Sequence, residues 1–162
     1  MQATAVVLAA GLGTRMKSAL PKTLHRIAGR SMLRHLLGSC ETAFDRIVVV
    51  LGPDMEPVAR EAAPHATVVQ AERRGTAHAA LQAADLFGDG DVAILYADNP
   101  LIRPATLTRL LQQRRDGAAD LALLAFRPAD PARYGRVVTA DGWVERIVEW
   151  ADADAATRAI DL

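Results

Sequence analysis

Thr4-Ala5-Val6-Val7-Leu8-Ala9-Ala10-Gly11-Leu12-Gly13-Thr14-Arg15-Met16 is the stretch that decides the architecture of this chain. Thr4 to Ala10 is an unbroken run of small apolar and β-branched residues, the pattern of a strand buried on both faces, as in a parallel sheet. Gly11 and Gly13 then interrupt it. Strands of such a sheet end at the edge where ligands bind, in the crevice beyond their carboxyl ends. The glycines free the backbone to turn tightly and approach a ligand, and successive exposed N–H groups in such a turn form a cavity for an anion. Arg15 adds a planar fork of donors suited to phosphate oxygens. Leu20-Pro21-Lys22 brings a second cation after a rigid proline. Other phosphate devices do not fit the letters. A dinucleotide fingerprint needs a third glycine where Met16 stands, and a P-loop needs Gly-Lys-Ser/Thr after four intervening residues.

Outward from this segment, buried-strand runs recur at Arg46 to Leu51, Thr67 to Gln70, Asp91 to Tyr96 and Asp120 to Phe126. Helical stretches separate them: Ser31 to Thr42, Met55 to Ala63, Thr76 to Phe87 and Pro104 to Arg115. Ser31 suits a cap and Pro104 a first helical turn. The alternation predicts an α/β, Rossmann-like architecture: a mostly parallel sheet with helices on both faces. The last third differs. Gly135 to Thr139 and Trp143 to Glu149 flank Asp141-Gly142, a strong two-residue hairpin signal. Asp152 to Ile160 reads as a short closing helix, and no linker or repeat divides the chain, so the expectation is one domain over residues 1–162.

Composition narrows the partners. The 162 residues are 51% hydrophobic and 23% charged, which is globular. Nineteen basic residues balance nineteen acidic ones. No global field therefore favours nucleic acid or an anionic membrane, and an anion must be held by a local device. Cys40 is the single cysteine, so neither an intrachain disulfide nor a thiolate cluster forms; its apolar-periodic setting reads as core packing. The apolar run at the N-terminus is short and lacks a basic flank, unlike a signal peptide or a span. A cytoplasmic location follows as the expectation. His25, His35, His65 and His78 show no metal-ligand spacing, and His25 and His78 read as structural or supporting residues.

Two further places carry chemistry. Gln70 ends a predicted strand and Gly75-Thr76 opens a predicted helix. The side-chain amide offers a donor and an acceptor for the edge of a base, and the helix start offers free N–H groups. Asp98 follows the buried strand Asp91 to Tyr96, on the ligand edge of the sheet, where a carboxylate suits Mg2+. An aspartate before Asn99-Pro100 also forms turns readily, and Gln70 and Gly75 also fit a plain strand end and turn.

These residues carry a resemblance. Leu8-Ala9-Ala10-Gly11-x-Gly13-Thr14-Arg15-Met16 with Leu20-Pro21-Lys22-x-Leu24-His25 is similar to the signature of sugar-1-phosphate nucleotidyltransferases. Within them it looks most like the N-terminal uridylyltransferase domain of the bifunctional N-acetylglucosamine-1-phosphate uridylyltransferase and glucosamine-1-phosphate acetyltransferase family. The pattern continues in order through Gln70-Ala71-Glu72, Gly75-Thr76-Ala77-His78, Tyr96-Ala97-Asp98, Tyr134-Gly135-Arg136-Val137 and Ile147-Val148-Glu149, from Ala5 to about Ile160.

The resemblance implies the nucleotide-diphospho-sugar transferase fold and transfer of UMP from UTP to N-acetylglucosamine-1-phosphate. It implies catalytic roles for Arg15 and Lys22. Nucleotide contacts would come from Leu8, Ala9, Ala10, Gly11, Gly13, Thr14, Lys22, Gln70, Gly75 and Thr76. Sugar contacts would come from Tyr96, Gly135 and Glu149, and the metal contact for Mg2+ from Asp98. Ala97 stands where the family commonly has glycine and Asn99 where it has valine or threonine; Ala97 is expected to narrow the approach to the ligand and Asn99 to alter selectivity. The family's second metal ligand, further sugar contacts and trimerising acetyltransferase half have no counterpart in this sequence, so a truncated relative, weakly active alone, is expected. Another acceptor or nucleotide, or a nucleotide-binding module without turnover, remain open readings.

Overall fold

The computed structural model of the chain describes every residue except Met1, Leu12, Thr14 and Arg15. It forms two compact units, Met1–Ala118 and Ala119–Leu162.

The first unit contains β1 (Ala3–Leu8), β2 (Arg26–Ile27), β3 (Arg30–Ser31), α1 (Met32–Ala43), β4 (Arg46–Leu51), α2 (Glu56–Ala62), β5 (Ala66–Val69), α3 (Thr76–Leu81), β6 (Asp91–Tyr96) and α4 (Pro104–Asp116). Its main sheet has the order β5-β4-β1-β6, and every pairing in it is parallel. The continuous apolar run places β1 in the middle. Because side chains alternate across a strand, Ala5 and Val7 join one core cluster with Leu33 and Leu36 of α1, Val58 of α2 and Leu107 of α4. Val6, Val48 and Val50 face the other way, onto Ala79 of α3 and Ala83. Helices thus cover both faces, as expected of buried parallel strands.

Local signals explain most boundaries. The Ser31 hydroxyl caps α1, accepting from the Arg34 N–H at 3.1 Å, and also donates to Glu61 at 2.5 Å. Pro104 occupies the first turn of α4. The expected helix Thr76 to Phe87 is broken: α3 stops at Leu81 and a 3-10 turn over Ala84–Leu86 follows. The short β2–β3 hairpin was not foreseen; it turns through Ala28 and Gly29, both at positive φ.

The second unit holds β7 (Arg136–Ala140), β8 (Trp143–Val148) and α5 (Ala155–Arg158). The β7–β8 hairpin turns through Asp141 (φ 51°) and Gly142 (φ 83°), the doubly left-handed conformation of a two-residue turn. Asp154 caps α5, accepting from the Thr157 N–H at 2.7 Å, and that hydrogen bond holds its carboxyl below the usual value. Arg136 organises the unit from inside. It is 1% exposed, and its guanidinium donates to the carbonyls of Pro131, Ala132, Tyr134 and Arg158 while stacking on Trp150.

One expected strand is absent. Asp120 to Phe126 belong to no sheet, and Leu121, Leu124 and Phe126 are exposed, Phe126 meeting Tyr134 edge to face. An apolar run sets β propensity, but a strand also needs a partner in register, and neither β7 nor β8 pairs with this segment.

Candidate functional site

The carboxyl ends of the sheet converge. Leu8 of β1 sits in register with Tyr96 of β6, and β4 ends beside β5 at Leu51 and Val69. The ladder extends past the strands: Ala9 N–H donates to Val50, Ala97 N–H to Leu8 and Gln70 N–H to Leu51. The chain therefore leaves all four parallel strands at one edge, and a cleft of about 330 Å³ opens there.

Residues expected at a nucleotide site line this cleft. Leu8, Ala9, Ala10, Gly11 and Gly13 form the wall that follows β1, with Lys22 beside them. Gln70, Gly75 and Thr76 form the wall between β5 and α3, and Tyr96 and Asp98 the wall after β6. Thr14 and Arg15 lie outside the described residues. Gly135 and Glu149 belong to the second unit. There they are neighbours: a Cβ on Gly135 would stand 3.7 Å from the Glu149 carboxylate.

Each glycine has its own reason. Gly13 has φ 61°, and a Cβ there would stand 2.6 Å from Cβ of Lys22, so the lysine can pass only against a bare backbone. Gly75, at φ 97° and ψ −178°, occupies a region closed to other residues and starts α3. Space beside Gly11 is open.

The polar groups are arranged in two sets. Lys22 Nζ bonds Asp98 at 2.6 Å, joining residues 76 positions apart, with both side chains partly exposed to the cleft. Across from them, Gln70 is 3% exposed. Its amide nitrogen donates to the Gly75 carbonyl at 3.2 Å and to His78 Nδ1 at 3.0 Å. The donor is thereby committed inside the protein, and the amide oxygen is left as the acceptor. His78 takes the supporting role expected of it. His25 Nε2 is buried without a hydrogen-bond partner among the described residues. Cys40 is fully buried in the core, as anticipated, and burial pushes its thiol up to about 12, with the Glu41 carboxylate adding to the rise.

Ala97 requires a correction. Its side chain is wholly buried in the core cluster beneath the sheet and does not narrow the cleft. Neither Ala97 nor Asn99 is among the residues lining it. The sequence reading also missed Arg73, which lines the cleft and donates from Nε to the Ala10 carbonyl at 3.0 Å. The signal available was a basic pair, Arg73-Arg74, immediately before Gly75; Arg74 turns away to pair with Glu72.

A parallel sheet whose central strand runs into a glycine-bearing turn, with a lysine beside that turn and a carboxylate after the neighbouring strand, goes with a family match that makes this a nucleotidyltransferase domain. The chain belongs to the MobA-like NTP transferase domain family, which matches residues 5–160. "Bifunctional protein GlmU" of Granulibacter bethesdensis is 64% identical over 163 residues, covering 98% of this chain and 36% of that protein. The protein of the same name from Gluconacetobacter diazotrophicus is 63% identical, covering 99% of this chain and 36% of that protein. The chain thus spans about a third of the length of these relatives. Among solved structures, Rv0371c of Mycobacterium tuberculosis is 29% identical with TM-score 0.59, over 69% of this chain and 60% of that one. A nucleotidyl transferase from Methanothermobacter superposes with TM-score 0.62 over 68% of this chain and 57% of that one; at 24% identity the likeness is one of fold.

Proposed function

We propose that the chain is the core of a uridylyltransferase that transfers UMP from UTP to N-acetylglucosamine-1-phosphate, giving UDP-N-acetylglucosamine and pyrophosphate. One observation carries the reading: a single cleft at the carboxyl edge gathers the glycine turn, Lys22, Asp98 and an inward-held Gln70. The likeness to the bifunctional GlmU proteins supports a nucleotide and a sugar phosphate as the substrate classes.

The reaction needs no covalent enzyme intermediate. A phosphate oxygen of the sugar phosphate, already an anion, attacks the α-phosphorus of UTP, and the bond to the bridging oxygen of pyrophosphate breaks. The protein's share is placement and charge. Main-chain N–H groups at Gly11 and Gly13 receive phosphate oxygens, and Lys22 stands beside the α-phosphate. Arg15, by the family pattern, serves the leaving phosphates. With its nitrogen engaged, Gln70 offers an acceptor, which matches the N3–H of uracil and repels the N3 lone pair of cytosine.

Asp98 fits a divalent cation as one oxygen ligand. Among the described residues no group of three or more His, Cys, Asp or Glu gathers to hold a metal, so phosphate and water oxygens would complete the shell, a habit of Mg2+. When bound, the ion neutralises phosphate charge in the transition state. A structure of Rv0371c is described as a complex with manganese. Gly135 and Glu149 are proposed to take the sugar, by the family pattern. We place the reaction in the cytoplasm, without nucleic acid or membrane as partner; among the described residues no helix is long and apolar enough to cross a membrane.

The test is pyrophosphate release from UTP, CTP and GTP, each with several sugar-1-phosphates and Mg2+. Release with UTP and N-acetylglucosamine-1-phosphate, above every other pair, is expected, weakly from the 162 residues alone. Preference for another pair would reassign the substrates, and nucleotide binding without any release would reduce the chain to a binding module.

A further inference from the structure

We propose that Arg73 is a positioning residue that fixes the distance between the two walls of the cleft, and that binding of a whole nucleotide depends on it. The inference rests on the nucleotide reading of the cleft given above.

Arg73 lies four positions past the end of β5, on the segment between Gln70 and Gly75. Its Nε donates to the carbonyl of Ala10, 63 positions away, at the start of the glycine turn that follows β1. The far end of the same guanidinium rests on Gly52, the residue directly after β4: a Cβ there would overlap a terminal nitrogen of Arg73 and would also come within 3.3 Å of the Ala10 carbonyl. One planar group thus joins the carboxyl ends of three adjacent strands, β5, β4 and β1. Gly52 has no left-handed φ, so its bare face is explained by the guanidinium seated on it and not by backbone conformation. A planar fork suits this task, because one nitrogen bonds a carbonyl while the rest of the group packs flat on backbone. Arg74, next in sequence, is held by Glu72 and takes no part.

A nucleotide touches both walls at once, with its base at Gln70 and its phosphates at Gly11 and Gly13. Its affinity therefore depends on the spacing of the walls, whereas a fragment that touches one wall does not sense it. UTP, uridine and inorganic tripolyphosphate distinguish these cases. Titration of each into the 162-residue chain, Arg73→Gln and Gly52→Ala is the experiment. Both variants are expected to bind UTP at least about tenfold more weakly. Both should hold uridine and tripolyphosphate within about twofold of wild type, and the double variant should be no weaker than Arg73→Gln, because the two changes remove one contact. Gly52→Ala keeps every charge, so it separates position from electrostatics.

Unchanged UTP affinity in either variant overturns the proposal. An equal loss for tripolyphosphate also overturns it, since Arg73 would then be a direct phosphate ligand. Should the wild-type chain bind none of the three, the nucleotide reading itself falls, and the inference with it.

Discussion

Asp98 illustrates how much one side chain carries here. It is the only carboxylate among the described residues lining the cleft, and its bond to Lys22 brings the two groups of opposite charge to the same spot. The side chain is 35% exposed, so its removal should cost the fold little. Asp98→Ala is expected to lower pyrophosphate release at least about 100-fold, with the melting temperature within about 2 °C of wild type. Near-normal release with Mg2+ would remove the metal role from Asp98. Cys40 gives a second prediction at this scale. Since burial pushes its thiol up to about 12, it stays protonated at pH 8 and out of reach. Iodoacetamide should leave the native chain unlabelled and modify it only after unfolding; rapid labelling of the native chain would contradict the buried placement.

Elements are tied together by buried charge as well as by apolar packing. Asp91 opens β6 and its side chain is 1% exposed. Burial alone would raise its carboxyl, but hydrogen bonds from Arg115 at 2.6 Å and Arg114 at 2.7 Å outweigh this and hold it below the ordinary carboxylate value. A carboxyl lowered in the folded state contributes stability above its unfolded pKa of about 3.9 and loses that contribution as pH falls through the folded value. Asp91→Asn should therefore be less stable than wild type at pH 7, and the gap should begin to narrow as pH falls below about 4. Urea unfolding from pH 7 to pH 3 measures it; a gap that did not narrow at all over that range would mean that packing, not charge, is what the substitution removes. In the second unit, Arg136 satisfies four carbonyls at once. Arg136→Met takes this donor from the Ala132, Tyr134 and Arg158 carbonyls, while Pro131 keeps the Tyr134 N–H, and should cost at least about 3 kcal/mol. Both tryptophans, Trp143 and Trp150, lie in that unit, so their fluorescence reports its unfolding alone. A loss under about 1 kcal/mol would show the carbonyls to be satisfied by water.

For the molecule as a whole, every described residue that lines the cleft falls within Met1–Ala118. A fragment of residues 1–118 is therefore expected to fold and bind UTP within a few-fold of the full chain, and UTP at about 100 times its Kd should stabilise it by about 2.7 kcal/mol. Calorimetry with and without UTP checks this; a fragment that binds no UTP would mean that the second unit contributes to the nucleotide site.

By itself the sequence determined what depends on neighbours along the chain. The runs Arg46–Leu51 and Asp91–Tyr96 became strands at those bounds, and Asp141-Gly142 became a hairpin turn, because apolar periodicity and tolerance of positive φ are local properties. The glycines at 11 and 13 that follow β1 were legible for the same reason. Tertiary structure alone decided the rest. It left Asp120 to Phe126 without a strand partner, turned Ala97 into the core, committed the Gln70 nitrogen to His78 and carried Arg73 across to Ala10. These are outcomes of pairing between distant segments, where register and reach, not the propensity of any one stretch, select which groups meet.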